Sequence, residues 1–97
     1  MNAIKSVGVI ECGLLDEASM KDRIGNTNGI RLKKILVKNR AGKTAAQQLF
    51  PQAELVGNAA AILQDDSIEL VLVADPQEAD KDLIREVLNT GKYVRII

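Results

Sequence analysis

Three short segments carry the residues of this chain that could attract or repel a bound anion. They are Glu11–Gly13, Lys38–Arg40 and Asp75, and each follows directly on an apolar run. Backbone N–H groups at a glycine turn and the cationic groups of Lys and Arg are common phosphate ligands, whereas a carboxylate such as that of Asp75 repels phosphate. If the apolar runs are parallel strands, the segments meet at the carboxyl edge of one sheet, where ligands of such sheets bind. We therefore interpret this edge as a candidate phosphate site.

The apolar runs alternate with segments of helical periodicity. We predict strands at 7–10, 30–37, 54–56, 68–74 and 93–97, helices at 16–24, 42–50, 59–64 and 78–90, and a turn at 25–29. The run 68–74 is apolar on both faces, which is typical of a central parallel strand. Strands alternating with helices imply right-handed parallel crossovers. The sequence predicts a three-layer Rossmann-like α/β fold in one domain, 1–97, with a five-stranded, mostly parallel sheet of order 3-2-1-4-5.

Composition excludes several classes of function. Lys and Arg together number 13, as do Asp and Glu, so no net field attracts nucleic acid or an anionic membrane. Without histidine the chain lacks the commonest general base and metal ligand, and with Cys12 alone it forms no internal disulfide. The N-terminus carries no signal-peptide pattern, and the longest apolar run is too short to span a bilayer. We expect a cytoplasmic protein that binds neither nucleic acid nor membrane.

Three longer segments resemble one family of enzymes. Val7–Gly13 resembles the G-V-I-G-C-G opening of the Gfo/Idh/MocA oxidoreductases, Ile62–Val71 is similar to their entry into strand four, and Leu88–Val94 is similar to their A-G-K-H-V. Homoserine dehydrogenases share much of this framework, and 30–40 resembles them equally. The likeness runs over nearly the whole chain. It implies a Rossmann domain of the kind that binds NAD or NADP.

The resemblance also implies where a cofactor would lie. Basic residues after strand two favour NADP over NAD, and Lys38, Arg40 and Lys43 stand there; the alternative is an ordinary solvated loop. The expected cofactor-binding residues are Gly8, Ile10, Gly13, Leu14, Leu15, Lys38, Asn39, Arg40, Lys43, Ala74 and Pro76. No metal is expected.

The glycine loop departs from the family's G-x-G-x-x-G. Glu11 and Asp16 replace the first and third glycines, and Gly13 alone remains. A carboxylate about 4 Å from a phosphate charge costs roughly 4 kcal/mol at an effective dielectric near 20. With Asp75 as a third acid at this edge, we expect dinucleotide binding to be weakened or lost. The alternative is that Asp16 caps a helix and Glu11 is a solvated loop residue.

Catalysis is not expected from this chain by itself. The family's E-K-P lysine has no counterpart at Arg95–Ile97, and the chain ends before the family's second domain would begin. Three functions stay open: a stand-alone domain that senses or holds NADP or another adenine nucleotide, a binding-dead interaction or oligomerisation module, and the cofactor-binding subunit of an oxidoreductase. A strand at 93–97 could form an exposed edge, so we also expect a homodimer.

A few other residues could suggest further kinds of chemistry. Gly42–Thr44 resembles the end of an NTPase phosphate loop, but Val37 stands where that loop needs a glycine. Cys12 could be a nucleophile, although a buried small hydrophobe is the better interpretation. Asp65 and Asp66 are expected at the edge opposite Asp75, which excludes a shared metal site. The charged residues from 78 to 86 are expected on a solvated helix face.

Overall fold

The structure is a computed structural model that describes residues 6–13, 31–38 and 40–97, with the backbone alone at 40–42. The strands are β1 (Val7–Glu11), β2 (Leu32–Val37), β3 (Glu54–Val56), β4 (Leu70–Ala74) and β5 (Tyr93–Ile96). The helices are α1 (Arg40–Leu49), α2 (Ala60–Leu63) and α3 (Lys81–Asn89), the last preceded by a 3-10 turn at Glu78–Asp80. The predicted helix at 16–24 and turn at 25–29 lie outside the described residues.

The strands form one parallel sheet. Their order is β3-β2-β1-β4-β5, and each of the four neighbouring pairs is parallel, which confirms the predicted fold class and strand order. β1 and β4 lie in the middle, and all of their residues are buried. Their nearly continuous apolar sequence suits this position because helices cover both faces of such a sheet.

Helices pack on both faces and complete the three layers. Val9 of β1 and Leu72 of β4 belong to one apolar cluster with Ala46 of α1. Val73 of β4 belongs to the opposite cluster, with Val87 of α3. Further members of the first cluster include Val7, Ile35 and Phe50, and of the second Ile10, Ile62 and Val71. Successive strand residues point to opposite faces, so the two clusters draw alternate residues from the same strands.

Several element boundaries differ from the sequence prediction. β1 continues to Glu11, because that residue pairs with Val37 on one side and Ala74 on the other. α1 begins at Arg40, two residues earlier than predicted. β4 begins at Leu70 instead of at residue 68. Within the described part of the chain, no helix has the length and apolar character needed to span a bilayer.

Candidate functional site

The three predicted segments do meet at the carboxyl edge of the sheet. Hydrogen bonds continue beyond the strand ends: the N–H of Cys12 donates to the carbonyl of Ala74 (2.9 Å), and the N–H of Lys38 donates to that of Glu11 (3.2 Å). The N–H of Asp75 likewise donates to the carbonyl of Ile97 (3.1 Å). The chain after β1, β2, β4 and β5 is therefore fixed side by side. The strand order reverses here between β1 and β4, the place where ligands of doubly wound sheets bind.

Gly13 and Asp75 are in direct contact at this edge. A Cβ atom placed on Gly13 would lie 1.9 Å from Oδ2 and 2.6 Å from Cγ of Asp75, distances that no real side chain permits. Asp75 has a φ of 51°, in the left-handed region that Asp adopts more readily than most residues. In this conformation the side chain of Asp75 covers Gly13. The space beside the backbone of Gly13, which a phosphate would need, is thus already filled by the carboxylate of Asp75.

A second carboxylate at this edge, that of Asp80, is buried, with 2% of the residue's surface exposed. Its Oδ1 forms an ion pair with the ammonium of Lys38, and its Oδ2 accepts a hydrogen bond from the N–H of Gln77 (2.7 Å). The hydrogen bond from Lys38 is the main cause that holds the pKa of Asp80 below its ordinary value and raises that of Lys38. Both groups are therefore charged at neutral pH. The pair joins the end of β2 to the turn after β4, on either side of β1.

The thiol of Cys12 completes this cluster. Burial and the negative charge of Asp80 raise the pKa of Cys12 to about 12, against a smaller opposing effect of Lys38. Cys12 also packs against the apolar cluster of α3. It is accordingly protonated at neutral pH, and the nucleophile hypothesis loses its chemical basis, since the thiolate is the reactive form.

Glu11 is not the solvated loop residue that the sequence allowed. It is the last residue of the central strand β1, and none of its surface is exposed. By alternation along the strand it lies on the same sheet face as Val7 and Val9. Its acidic side chain is thus part of the protein interior at the carboxyl edge.

The remaining predicted site residues fall into three groups. Gly8 and Ile10 are buried inside β1, and a Cβ on Gly8 would lie 2.7 Å from Cγ2 of Ile62, so this glycine lets α2 pack on the sheet. Ala74 ends β4 and Pro76 is half-buried after it. On the basic side, Lys43 is exposed on α1, and Arg40 is described by its backbone. Leu14, Leu15 and Asn39, together with the acidic Asp16, lie outside the described residues.

The positions of two further segments decide the NTPase and metal hypotheses. Gly42–Thr44 lies inside α1 and not in a loop before a helix, so the chain does not form the NTPase loop there. Asp65 lies at the amino edge, where its Oδ2 pairs with Lys33 (2.8 Å) and Lys34 (3.1 Å), and this confirms its separation from Asp75. Among the residues that the structure describes, no three potential metal-binding side chains of His, Cys, Asp or Glu come together.

Asp80 is the residue that sequence reasoning missed. The sequence predicts a solvated face for the charged residues from 78 to 86, and this is wrong for Asp80. A signal is present: Gln77 and Asp80 have the spacing of a capping box, in which the side chain of the later residue returns to the backbone N–H of the earlier one. The ion pair with Lys38 has no such signal, because 42 residues separate the partners.

The chain resembles known proteins at the level of structure. No family model and no curated protein matches it. Solved structures do: myo-inositol dehydrogenase from Lactobacillus casei, in complex with NAD(H) and myo-inositol, is 21% identical with a TM-score of 0.74 over 96% of this chain. Biliverdin reductase from Synechocystis, in complex with biliverdin and NADP+, is 19% identical with a TM-score of 0.71 over 95%. A variant 3-ketoreductase from Actinomadura kijaniata, in complex with NADP, is 23% identical with a TM-score of 0.69 over 98%.

These oxidoreductases are much longer than the chain. The match spans 28%, 28% and 29% of their respective lengths. Because the sequence identities are low, the similarity shows a shared backbone arrangement and does not show shared chemistry. The comparisons therefore establish the fold: a Rossmann-like α/β fold that this chain shares with part of several oxidoreductases whose structures contain NAD(H) or NADP.

Proposed function

We propose that this chain is a nucleotide-binding domain of the Gfo/Idh/MocA type, which holds NADP or another adenine nucleotide at its carboxyl edge without catalysing a reaction by itself. The observation that carries the proposal is the meeting of Gly13, Lys38 and Ala74 at the reversal of strand order between β1 and β4. Structures with this fold that contain NAD(H) or NADP support the same assignment.

Basic residues after β2 favour a ligand that carries a phosphate on its ribose. Lys43 is exposed in the first turns of α1, and Arg40 begins that helix. Lys38 is half-exposed, with 45% of its side chain accessible beside Asp80, so a phosphate could share its ammonium. A phosphate on the adenosine ribose would find cations here, which favours NADP over NAD.

Three described groups at this edge, Asp80, Lys38 and Cys12, are poorly suited to acid–base chemistry. The pKa of Asp80 lies below its ordinary value, and those of Lys38 and Cys12 lie above theirs, so none of these three groups exchanges a proton near neutral pH. A general acid or base works best when its pKa is close to the working pH. This supports binding without catalysis, with any substrate chemistry supplied by other protein.

One observation favours a second candidate function. The carboxylate of Asp75 lies against Gly13, at the backbone surface that a pyrophosphate would need. If this carboxylate prevents every nucleotide from binding, the domain is an interaction or oligomerisation module that has retained the fold but not the binding. The two candidates differ in whether any adenine nucleotide stabilises the protein.

Thermal unfolding with added nucleotides tests the proposal. NADP, NAD, AMP and coenzyme A are titrated separately, and a ligand at a hundred times its dissociation constant adds about 2.7 kcal/mol to the free energy of unfolding. We expect NADP to raise the melting temperature more than NAD does. Lys43→Gln should reduce the NADP shift, whereas Lys81→Gln, which removes an exposed charge from α3, should not. Unchanged melting with all four nucleotides would favour the interaction module.

A further inference from the structure

The conformation of Asp75 is held by its backbone. Its N–H donates to the carbonyl of Ile97 (3.1 Å), and its own carbonyl accepts from Nε2 of Gln77 (2.9 Å). With φ at 51°, the Cα–Cβ bond of Asp75 is directed at Gly13. The Cβ of Asp75 would itself lie 2.8 Å from a Cβ on Gly13, so the contact begins at the base of the side chain.

The lysine at this edge is engaged by another carboxylate. Lys38 is the basic residue whose contacts at this edge are described, and its ammonium is paired with the buried Asp80. The middle glycine of a dinucleotide loop works by letting the backbone approach the pyrophosphate. At Gly13 the side chain of Asp75 fills the space that the pyrophosphate would need, and its negative charge repels the pyrophosphate as well.

We propose that Asp75 determines the class of nucleotide that the site accepts. Its carboxylate excludes a pyrophosphate from Gly13, so the domain selects an adenine nucleotide that carries its phosphate on the ribose, at the β2 end, over a complete dinucleotide. This rests on the proposed function and narrows it. The adenosine 2′-phosphate half of NADP then supplies nearly all of the affinity, and the pyrophosphate half weakens it.

Two substitutions at position 75 separate volume from charge. Asp75→Gly removes the side chain and suits a positive φ, so the fold should tolerate it. Asp75→Asn keeps the shape and the tolerance for this φ but removes the charge. Asp66→Asn, at an exposed position, is the matched control for a change in net charge. Calorimetric titrations of each protein use 2′-AMP, NADP and inorganic pyrophosphate, and thermal unfolding verifies that each variant is folded.

We expect the wild-type domain to bind 2′-AMP at least as tightly as NADP. Asp75→Gly should tighten NADP by at least about tenfold and gain binding of pyrophosphate, because like charges near contact repel strongly at a protein surface. The affinity for 2′-AMP should stay within about twofold, since that ligand does not reach Gly13. Asp75→Asn should give part of the gain if volume matters as well as charge, and Asp66→Asn should give none.

The outcomes distinguish this inference from the proposed function. If Asp75→Gly gains neither NADP nor pyrophosphate affinity, the inference is wrong, whatever 2′-AMP does. If Asp66→Asn gives the same gain as Asp75→Asn, net charge is the cause and the inference is again wrong. If pyrophosphate binding appears in Asp75→Gly while 2′-AMP binds to no protein, Asp75 does block Gly13, but the selection of a ribose phosphate is wrong and the proposed nucleotide function falls with it.

Discussion

Asp80 shows how one buried carboxylate sets the chemistry of its neighbours. It holds the ammonium of Lys38, accepts a hydrogen bond from the N–H of Gln77, and its negative charge helps to raise the pKa of Cys12. A buried carboxylate is tolerated only when its charge is paired and its oxygens are hydrogen-bonded, and these contacts supply both conditions. The result is a cluster of fixed charges in which the cysteine is kept neutral.

This cluster predicts the reactivity of Cys12. Because burial and Asp80 raise its pKa to about 12, the thiolate is scarce at pH 8. We expect alkylation by iodoacetamide at pH 8 to be at least about a hundredfold slower in the folded protein than in the denatured chain. Mass spectrometry of timed samples measures both rates. Asp80→Asn should accelerate the reaction of the folded protein, and equal rates for the folded and denatured chain would contradict the assigned cluster.

At the scale of elements, an irregularity in β2 organises the opposite edge of the sheet. Val7 pairs with Leu32 but Gly8 pairs with Lys34, so Lys33 is an extra residue. A bulge of this kind redirects side chains, and here the ammonium groups of both Lys33 and Lys34 reach Oδ2 of Asp65. The pairing therefore ties the start of β2 to the segment that leads into β4.

The same anchor includes the start of β5. Nζ of Lys92 donates to the carbonyls of Asp65 and Ile68 (both 2.8 Å), and Oδ1 of Asp65 accepts from the N–H of Ser67 (2.9 Å). The hydrogen bonds from Lys33 and Ser67 are the leading causes that hold the pKa of Asp65 below its ordinary value of 3.8. Through its carboxylate and its backbone carbonyl, Asp65 thus links the starts of β2 and β5 to the segment that leads into β4.

Acid should weaken this anchor. A lowered pKa in the folded state means that Asp65 stabilises the fold above pH 3.8 and that this contribution is lost as the pH falls below that value. We expect Asp65→Asn to lower the free energy of unfolding at pH 7 by about 1–3 kcal/mol and to reduce the further loss between pH 5 and pH 3. Urea titrations at each pH measure this. Asp66→Asn, at its exposed neighbour, should keep the wild-type pH dependence.

The whole molecule presents β5 as an edge strand. Tyr93 and Ile96 of β5 expose 71% and 52% of their surface, and Leu88 near the end of α3 exposes 57%. β5 pairs with β4 on one side, and it is the last strand of the sheet. Unpaired N–H and C=O groups along such an edge can pair with a second strand.

This edge predicts self-association. We expect a homodimer in which the β5 strands of two copies pair, because that would satisfy the edge and cover Tyr93 and Ile96. Light scattering on the eluted protein measures the mass. Ile96→Lys should shift the dimer towards the monomer, whereas Glu54→Lys, on the opposite edge strand β3, should not. A monomer at high concentration in the wild type would contradict the prediction.

The fold was predictable from the sequence because it depends on local patterns. The apolar run that ends at Ala74 and the periodicity of α3 fixed the alternation of strands and helices, and the handedness of crossovers limited the strand order. The details of the candidate site depend on contacts between distant residues. Neither the pairing of Lys38 with Asp80 nor the left-handed φ of Asp75 leaves a mark in the neighbouring sequence. The carboxyl edge could thus be located from the sequence, but the contacts that the Asp75 and Asp80 side chains make there could not be predicted.

Because Gly13 and Asp75 are in contact, the residue types that the fold tolerates at one position depend on the residue at the other, although 62 residues separate them. A methyl group at position 13 would collide with the aspartate, so alanine there requires that Asp75 shift or be replaced by a smaller residue. A library that randomises position 13 alone should be strongly enriched in glycine among its folded clones. Randomising both positions should return new pairs, always with the larger side chain on one partner only.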